Sequence, residues 1–184
     1  MPVSPGTIPS ITNYQIPTGV VWWTDDHALT AGRIKLGNCV EFSITPSITT
    51  KDHTRTYGGS RLIDKTIVTL ASGTVNFVLD EITQIALGMF SLGNVTDNTG
   101  GAGWDIMALT KLNFNGVLEI DGDNVEGPQV DWIGYVNLSP TSNLFLIRNN
   151  DDWNTVPLQG KIQAHAVHGL GHFTARALHE GLTA

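Results

Sequence analysis

Four histidines are clustered near the carboxyl end of the sequence, and neutral imidazoles are good ligands for zinc and copper. They are His165, His168, His172 and His179. His168 and His172 would share a face only on a helix, but Gly169 and Gly171 disfavour a helix there. Neither an HExxH motif nor a pair of cysteines accompanies them. The spacing therefore predicts no metal site, and a tail that is flexible or covered by a partner.

The segment DGDNVE at residues 121–126 groups carboxylates as a calcium site does, because hard cations collect oxygen ligands. It departs from the EF-hand loop, which needs Asp or Asn at its fifth position and Gly at its sixth, where this chain has Val125 and Glu126. An Asp-Gly pair is also typical of a tight hairpin turn. An acidic turn is the favoured interpretation, and a calcium-binding turn is the alternative.

No catalytic group is indicated by the remaining polar residues. Cys39 is predicted on the same strand face as Glu41 with no His nearby, as an inert, half-buried thiol. The acids in the runs 25–27 and 151–152 are adjacent, so on a strand they point to opposite faces and form no dyad. GxSxG, P-loop and GxGxxG motifs are absent from the sequence. We therefore expect a protein that is not an enzyme and needs no cofactor.

The composition of the chain narrows the classes of protein that remain. The chain has 184 residues, a formal charge of -7 and only 15% charged residues, which disfavours a protein that grips nucleic acid phosphates. One cysteine excludes an internal disulfide framework. The start of the sequence lacks the pattern of a signal peptide, and no apolar run is long enough to span a membrane. We expect a single domain over residues 1–184 that folds in a cytoplasm.

The periodicity of apolar residues predicts a mostly β (α+β) fold, a two-sheet sandwich or barrel-like structure with one flanking helix. An amphipathic helix is predicted over residues 80–92, with Asp80 as N-cap and Gly93 at its end. A long polar loop is predicted over residues 51–64, and another loop over 94–103. Residues 1–18 form a Pro-rich arm, and residues 169–184 form a C-terminal tail. Strands are predicted at residues 20–24, 38–45, 114–121, 130–138, 143–148 and 156–167, with residues 66–71 and 74–79 as two strands or one bulged strand.

Charge is distributed unevenly along the chain. Residues 33–65 contain six basic and three acidic side chains, whereas residues 66–184 contain four basic and twelve acidic ones. A basic segment in an acidic chain indicates complementary surfaces that can meet between copies, although a solvated loop has the same composition.

Around the polar loop the sequence resembles a known family. The residues are EFSITPSITTKDH (41–53), GSRLIDK (59–65) and the helix start DEI (80–82), with a weaker match at WNTVPLQGK (153–161). This pattern is similar to that of the major tail tube protein of tailed bacteriophages, especially those with long non-contractile tails. The resemblance extends over roughly residues 15–170.

The resemblance implies a structural subunit of the virion tail, assembled in the cytoplasm of the bacterial host. It implies stacked hexameric rings whose lumen holds the tape-measure protein and later conducts DNA without binding it specifically. Further implied partners are the tail terminator and the distal tail or baseplate proteins. The polar loop would hold one ring on the next through Lys51, Asp52, His53, Arg55, Arg61, Asp64 and Lys65.

Acidic residues on the polar faces of alternating strands suggest a second role. In a closed ring such faces would line the channel with negative charge, so that DNA is not retained on the wall. These residues are Glu41, Glu119, Asp121 and Asp131. Alternation alone also fits a solvated outer face. The alternatives to a non-contractile tail tube are a tube or terminator ring subunit of a contractile tail or injection system, and a β-sandwich calcium-dependent binding module.

Overall fold

The computed structural model describes residues 18–25, 32–97, 103–124, 129–141, 154–167 and 169–176. Most of this part of the chain is β-structure. The elements are β1 (Thr18–Asp25), β2 (Ile34–Tyr57), β3 (Ser60–Leu79), α1 (Gln84–Phe90), β4 (Asn94–Asp97), β5 (Trp104–Met107), β6 (Phe114–Asp123), β7 (Gln129–Pro140), β8 (Val156–Gln163) and β9 (His172–Arg176). Residues 1–17 of the arm predicted over 1–18, the strand predicted at 143–148 and residues 177–184 of the predicted tail lie outside the described residues, while Thr18 begins β1.

The main sheet closes on itself into a barrel. Its hydrogen-bonded order is β6-β1-β2-β3-β8-β7, and β6 also pairs with β7 from Phe114 opposite Leu138 to Ile120 opposite Trp132. These pairings are antiparallel. β9 adds to β7 through residues 129–133, so part of the predicted C-terminal tail is a strand. The predicted mostly β class with one helix is confirmed for the described residues.

Alternating side chains fill the barrel. Val75, Phe77 and Leu79 of β3 are buried, as are Val156 and Leu158, which face Leu79 and Phe77 from β8. Gly116 of β6 leaves room for the indole ring of Trp23, since a Cβ there would lie 2.5 Å from both that ring and the backbone oxygen of Thr24. The core therefore combines the period of two expected for strands with close backbone approaches that only glycine permits.

The helix is shorter than predicted. Asp80 does not cap it, because the Asp80 N–H donates to the Asn38 oxygen and extends the pairing of the sheet. Thr83 is the N-cap, and its hydroxyl accepts from the Ala86 N–H and donates to the Leu36 oxygen, both at 3.1 Å. After the last turn the Gly93 N–H donates to the Gly88 oxygen at 2.8 Å, with Leu92 at φ 49°. This is a Schellman ending, in which Leu92 and not the predicted Gly93 has the left-handed conformation.

The prediction of a loop over residues 51–64 is wrong. β2 and β3 pair from residue 47 out to Tyr57 opposite Ser60, with register shifts after Thr49 and after His53. Gly58 and Gly59 form a two-residue turn at the tip, with φ of 58° and 83°. β8 joins β3 only from Gly73 inward. Residues 47–57 and 60–72, which we call the ribbon, therefore extend about 35 Å beyond the barrel. Residues 66–71 and 74–79 belong to one strand.

Two more sequence predictions require correction. An extra residue in β2, Val40, shifts the register between Cys39 and Glu41. Cys39 is consequently buried and Val40 is 57% exposed, whereas alternation placed Cys39 on the Glu41 face. Residues 94–97, predicted as loop, form β4 and pair with β5.

Candidate functional site

All seven residues predicted for the stacking loop lie on the ribbon. The register places Lys51, His53 and Arg55 on one face together with Lys65, which lies opposite His53. The two carboxylates are already bound within the ribbon: Asp64 contacts His53 Nδ1 at 2.7 Å, and Asp52 accepts from the Thr66 hydroxyl at 2.6 Å. The lysines and arginines are therefore the predicted residues best placed to contact another molecule.

The sequence analysis missed the apolar side chains of the ribbon. Every residue from 47 to 71 is exposed, because the ribbon contacts no core on either face. The larger apolar side chains are 46% to 73% exposed and are Ile48, Tyr57, Leu62, Ile63, Ile67, Val68 and Leu70. Exposed apolar area of this extent is typical of an interaction surface. The available signal was the β-branched run at residues 66–71, in which neither strand face is uniformly polar.

The ribbon also leaves backbone edges open. Within the described residues, β1 pairs with β2 only as far as Cys39, and β8 pairs with β3 only from Gly73. Beyond these points the outer N–H and C=O groups of both ribbon strands face no neighbouring strand of the described chain. Such edges are able to pair with a strand of another molecule.

Three of the four predicted wall acids come together on the outside of the barrel. Glu119 and Asp121 on β6 flank Arg33, with distances of 3.2 and 2.7 Å to its Nη2 atom. The guanidinium also lies 4.3 Å from the centre of the Trp22 ring. Asp131 on β7 accepts from the Gly122 N–H at 3.2 Å. These three carboxylates and Arg33, which we call the acidic cluster, have a formal net charge of -2.

Glu41 is separate from the acidic cluster. It lies on β2 beyond the Val40 bulge, at the rim of a cavity in the end of the barrel from which the ribbon leaves. The structure therefore brings together three of the four acids predicted to line the channel and places Glu41 apart from them. His172 of β9 lines the cleft of the acidic cluster instead, since pairing with Ile133 brings it there.

No catalytic or metal-binding arrangement is found among the described residues. No group of three or more His, Cys, Asp or Glu side chains is placed to hold a metal ion in this part of the chain. Asp121, which begins the alternative calcium-binding turn, contacts Arg33, while Val125 and Glu126 of that turn lie outside the described residues. The acids at 26 and 151–152 and the histidines at 27, 168 and 179 also lie outside the described residues. Burial raises the pKa of the Cys39 thiol, although hydrogen bonding partly opposes this effect.

Comparison with known proteins gives a family without an assigned activity. Among the described residues no helix is long and apolar enough to cross a membrane. No curated protein matches the sequence. The sequence profile described as "Protein of unknown function UCP028589" matches residues 14–127, which include β1 to β6 and the whole ribbon. Because the match spans more than half of the chain, the protein belongs to this family.

Proposed function

We propose that the protein is the tail tube subunit of a tailed bacteriophage with a long non-contractile tail. In this proposal hexameric rings stack into a tube that encloses the tape-measure protein and later conducts DNA. The tube belongs to the virion, is assembled in the bacterial cytoplasm, and is bounded by the tail terminator and by distal tail or baseplate proteins. The observation that supports self-assembly best is the ribbon.

A two-stranded ribbon of this length is poorly stabilised by itself. Isolated hairpins are marginal in water, and a packed face or a third strand is needed for independent stability. The ribbon has neither within the described residues, since residues 45–71 are exposed and the partner strands β1 and β8 stop at its base. Contact with another copy would supply both the apolar cover and the additional strand.

The charge of the ribbon favours a copy of the same chain as its partner. The ribbon contains four of the ten lysines and arginines, Lys51, Arg55, Arg61 and Lys65, but only two of the seventeen acids. The rest of the chain is strongly acidic, so the ribbon of one copy and the body of the next attract each other. Its length of about 35 Å is enough to follow the wall of a neighbouring barrel, since β6 spans roughly 30 Å.

The acidic cluster is consistent with a channel wall. The four described side chains of the cluster have a net negative formal charge, and the one cation among them, Arg33, is bound to two of the carboxylates. A wall whose cations are all paired with carboxylates releases few counterions from DNA, so it does not hold the polyanion in place.

Replacement of residues 49–70 by a short Gly-Ser turn tests the proposal. These residues pair only with each other within the described chain, so the barrel should keep its circular dichroism spectrum and cooperative unfolding. Negative-stain microscopy of the concentrated wild type should show tubes, and the variant should show none. Tubes of normal length from the variant would contradict the proposal. Monodisperse wild-type particles would favour the binding module, and rings that do not stack would favour a terminator subunit.

A further inference from the structure

The end of the barrel from which the ribbon leaves contains an apolar cavity. Its volume is ≈ 250 Å³, and we call it the end cavity. Its apolar lining includes Cys39, Phe42, Ile120, Val130, Trp132 and Phe173. Phe42 and Trp132 lie with ring centroids 5.8 Å apart, so the wall is built from packed aromatic side chains. The exposed carboxylates of Glu41 and Asp123 lie on its lining.

The opposite end of the barrel has a protruding apolar segment. Residues 107–112, which we call the finger, join β5 to β6 and expose Met107, Leu109 and Leu112 to 70%, 82% and 98%. Three large apolar side chains exposed within six residues are unusual for a connection between strands, where polar residues dominate. The finger also contains Lys111, whose ammonium group lies 4.5 Å from the centre of the Phe114 ring.

The finger is held rigidly in place. The N–H groups of Leu109 and Lys111 donate to the oxygens of Ser91 and Leu92 at the end of α1, each at 2.9 Å. The Thr110 hydroxyl donates to the Met107 oxygen at 2.9 Å and accepts from the Asn94 N–H at 3.0 Å. Leu109 has a φ of 58°, a conformation that is costly for leucine. Backbone strain of this kind persists where the surroundings fix it and is concentrated at functional sites.

The finger and the end cavity are at opposite ends of the same strand. Phe114 begins β6 beside the finger, and Gly122 and Asp123 finish β6 at the end cavity. Ten residues of strand separate the two features by roughly 30 Å. One copy therefore cannot fill its own cavity with its own finger.

We propose that the finger of one copy inserts Leu109 into the end cavity of the next copy. An apolar cavity of about 150 Å³ is large enough for a benzene molecule, so the ≈ 250 Å³ end cavity accommodates a leucine side chain. The charges are also complementary, because Lys111 on the finger would approach Glu41 and Asp123 at the cavity. The occupant is a second copy of this chain, because a segment of suitable size, polarity and charge is present on the chain itself.

This contact joins unlike ends of two molecules, so it does not close and repeats along a line. It rests on the self-assembly proposed above but not on the ribbon. The ribbon leaves from the end that contains the cavity, and it would therefore lie along the wall of the copy whose finger is inserted.

Directional disulfide formation tests the contact. In a Cys39→Ala background, one protein contains Leu109→Cys and a second contains Val40→Cys, at the cavity lining. Mixed at high concentration and oxidised mildly, the two should form a covalent heterodimer at least tenfold faster than either forms a homodimer. Thr96→Cys, exposed on β4, is the matched control for Leu109→Cys and should not react with the Val40→Cys protein.

Three results would overturn the proposal. In the first, the Thr96→Cys control forms a disulfide with the Val40→Cys protein as fast as the Leu109→Cys protein does. In the second, the Leu109→Cys protein alone forms homodimers as fast as the heterodimer forms. In the third, no covalent dimers form at the highest soluble concentration. Tubes without the heterodimer would contradict the finger contact alone. The heterodimer together with tubes that survive replacement of the ribbon would contradict only the stacking role of the ribbon.

Discussion

One extra residue in a strand decides the environment of the only cysteine. Val40 forms a bulge opposite β3, and its insertion directs Cys39 into the barrel and Val40 to the surface. Strict alternation across residues 38–45 could not show this, because a bulge reverses the face of every residue that follows it. The same bulge places Glu41 at the end cavity, away from the other predicted wall acids.

The raised pKa of Cys39 predicts an alkaline loss of stability. The pKa of the thiol in the unfolded chain is about 8.5, while burial keeps the folded thiol protonated to higher pH. The contribution of the thiol to the free energy of unfolding is therefore fully present below the pKa of the unfolded thiol. It is lost as the pH rises through the higher pKa of the folded thiol. Cys39→Ala should cost about 1 kcal/mol at pH 7, and its difference from the wild type should shrink between pH 8 and pH 10.

Urea unfolding of both proteins at each pH measures that difference, because the other titrating groups are common to both. The Cys39 thiol of the folded wild type should also react slowly with a thiol reagent at pH 8 and rapidly in urea. A constant difference in the free energy of unfolding over this range would contradict the assignment.

At the scale of elements, the helix and the sheet compete for Asp80 just before the start of α1. Asp80 has the side chain of a good N-cap, yet its N–H belongs to the sheet and holds the backbone extended. The helix begins only after Thr83, whose hydroxyl joins the helix to the Leu36 oxygen of β2. A local cap signal therefore located the helix but not its first residue.

Thr83→Ala should destabilise the protein by about 1–2 kcal/mol, because it removes the cap of α1 and the donor to a carbonyl in a partly buried site. Asp80→Ala is the control, and it should cost less than about 0.5 kcal/mol as a surface substitution. Chemical denaturation of both variants measures the difference. Equal costs, or a larger cost for Asp80→Ala, would show that capping acts from residue 80.

The strands that could be predicted from the sequence are those with one buried face. Residues 114–121 and 130–138 alternate because they line the barrel, and they form β6 and β7. In the ribbon the β-branched side chains predict only residues 66–71 as a strand, because both ribbon faces are exposed and no apolar alternation marks residues 47–65. The end cavity and the acidic cluster depend on which strands become neighbours, and local apolar patterns do not reveal pairings between segments as distant as β1 and β6.

At the scale of the whole molecule, the outer surface of the barrel determines what a tube of such subunits would present to DNA. The acidic cluster has a net charge of -2 because Arg33 offsets one of its three carboxylates. Repeated in every subunit of a ring, this charge would extend around a channel. The effect belongs to the assembly, since one subunit alone does not enclose a channel.

Graded changes of the cluster charge should change the rate of genome ejection. Glu119→Gln with Asp121→Asn brings the cluster to neutral, and Glu119→Lys with Asp121→Lys brings it to +2. Ejection from triggered virions should slow in that order, because added cations hold DNA through counterion release, and higher salt should reduce the delay. Normal tails in micrographs are the control for assembly. Equal ejection rates in all three would contradict a lumenal position.

The direction of the ribbon strands has a mechanical consequence for a tube built as proposed. Hydrogen bonds between strands run perpendicular to the strand axis. If a ribbon that continues β2 and β3 pairs with the next barrel along that axis, tension on the tube would shear many hydrogen bonds together and would not peel them one at a time. The tube would then resist stretching strongly, while the narrow ribbons between successive barrels would still allow it to bend.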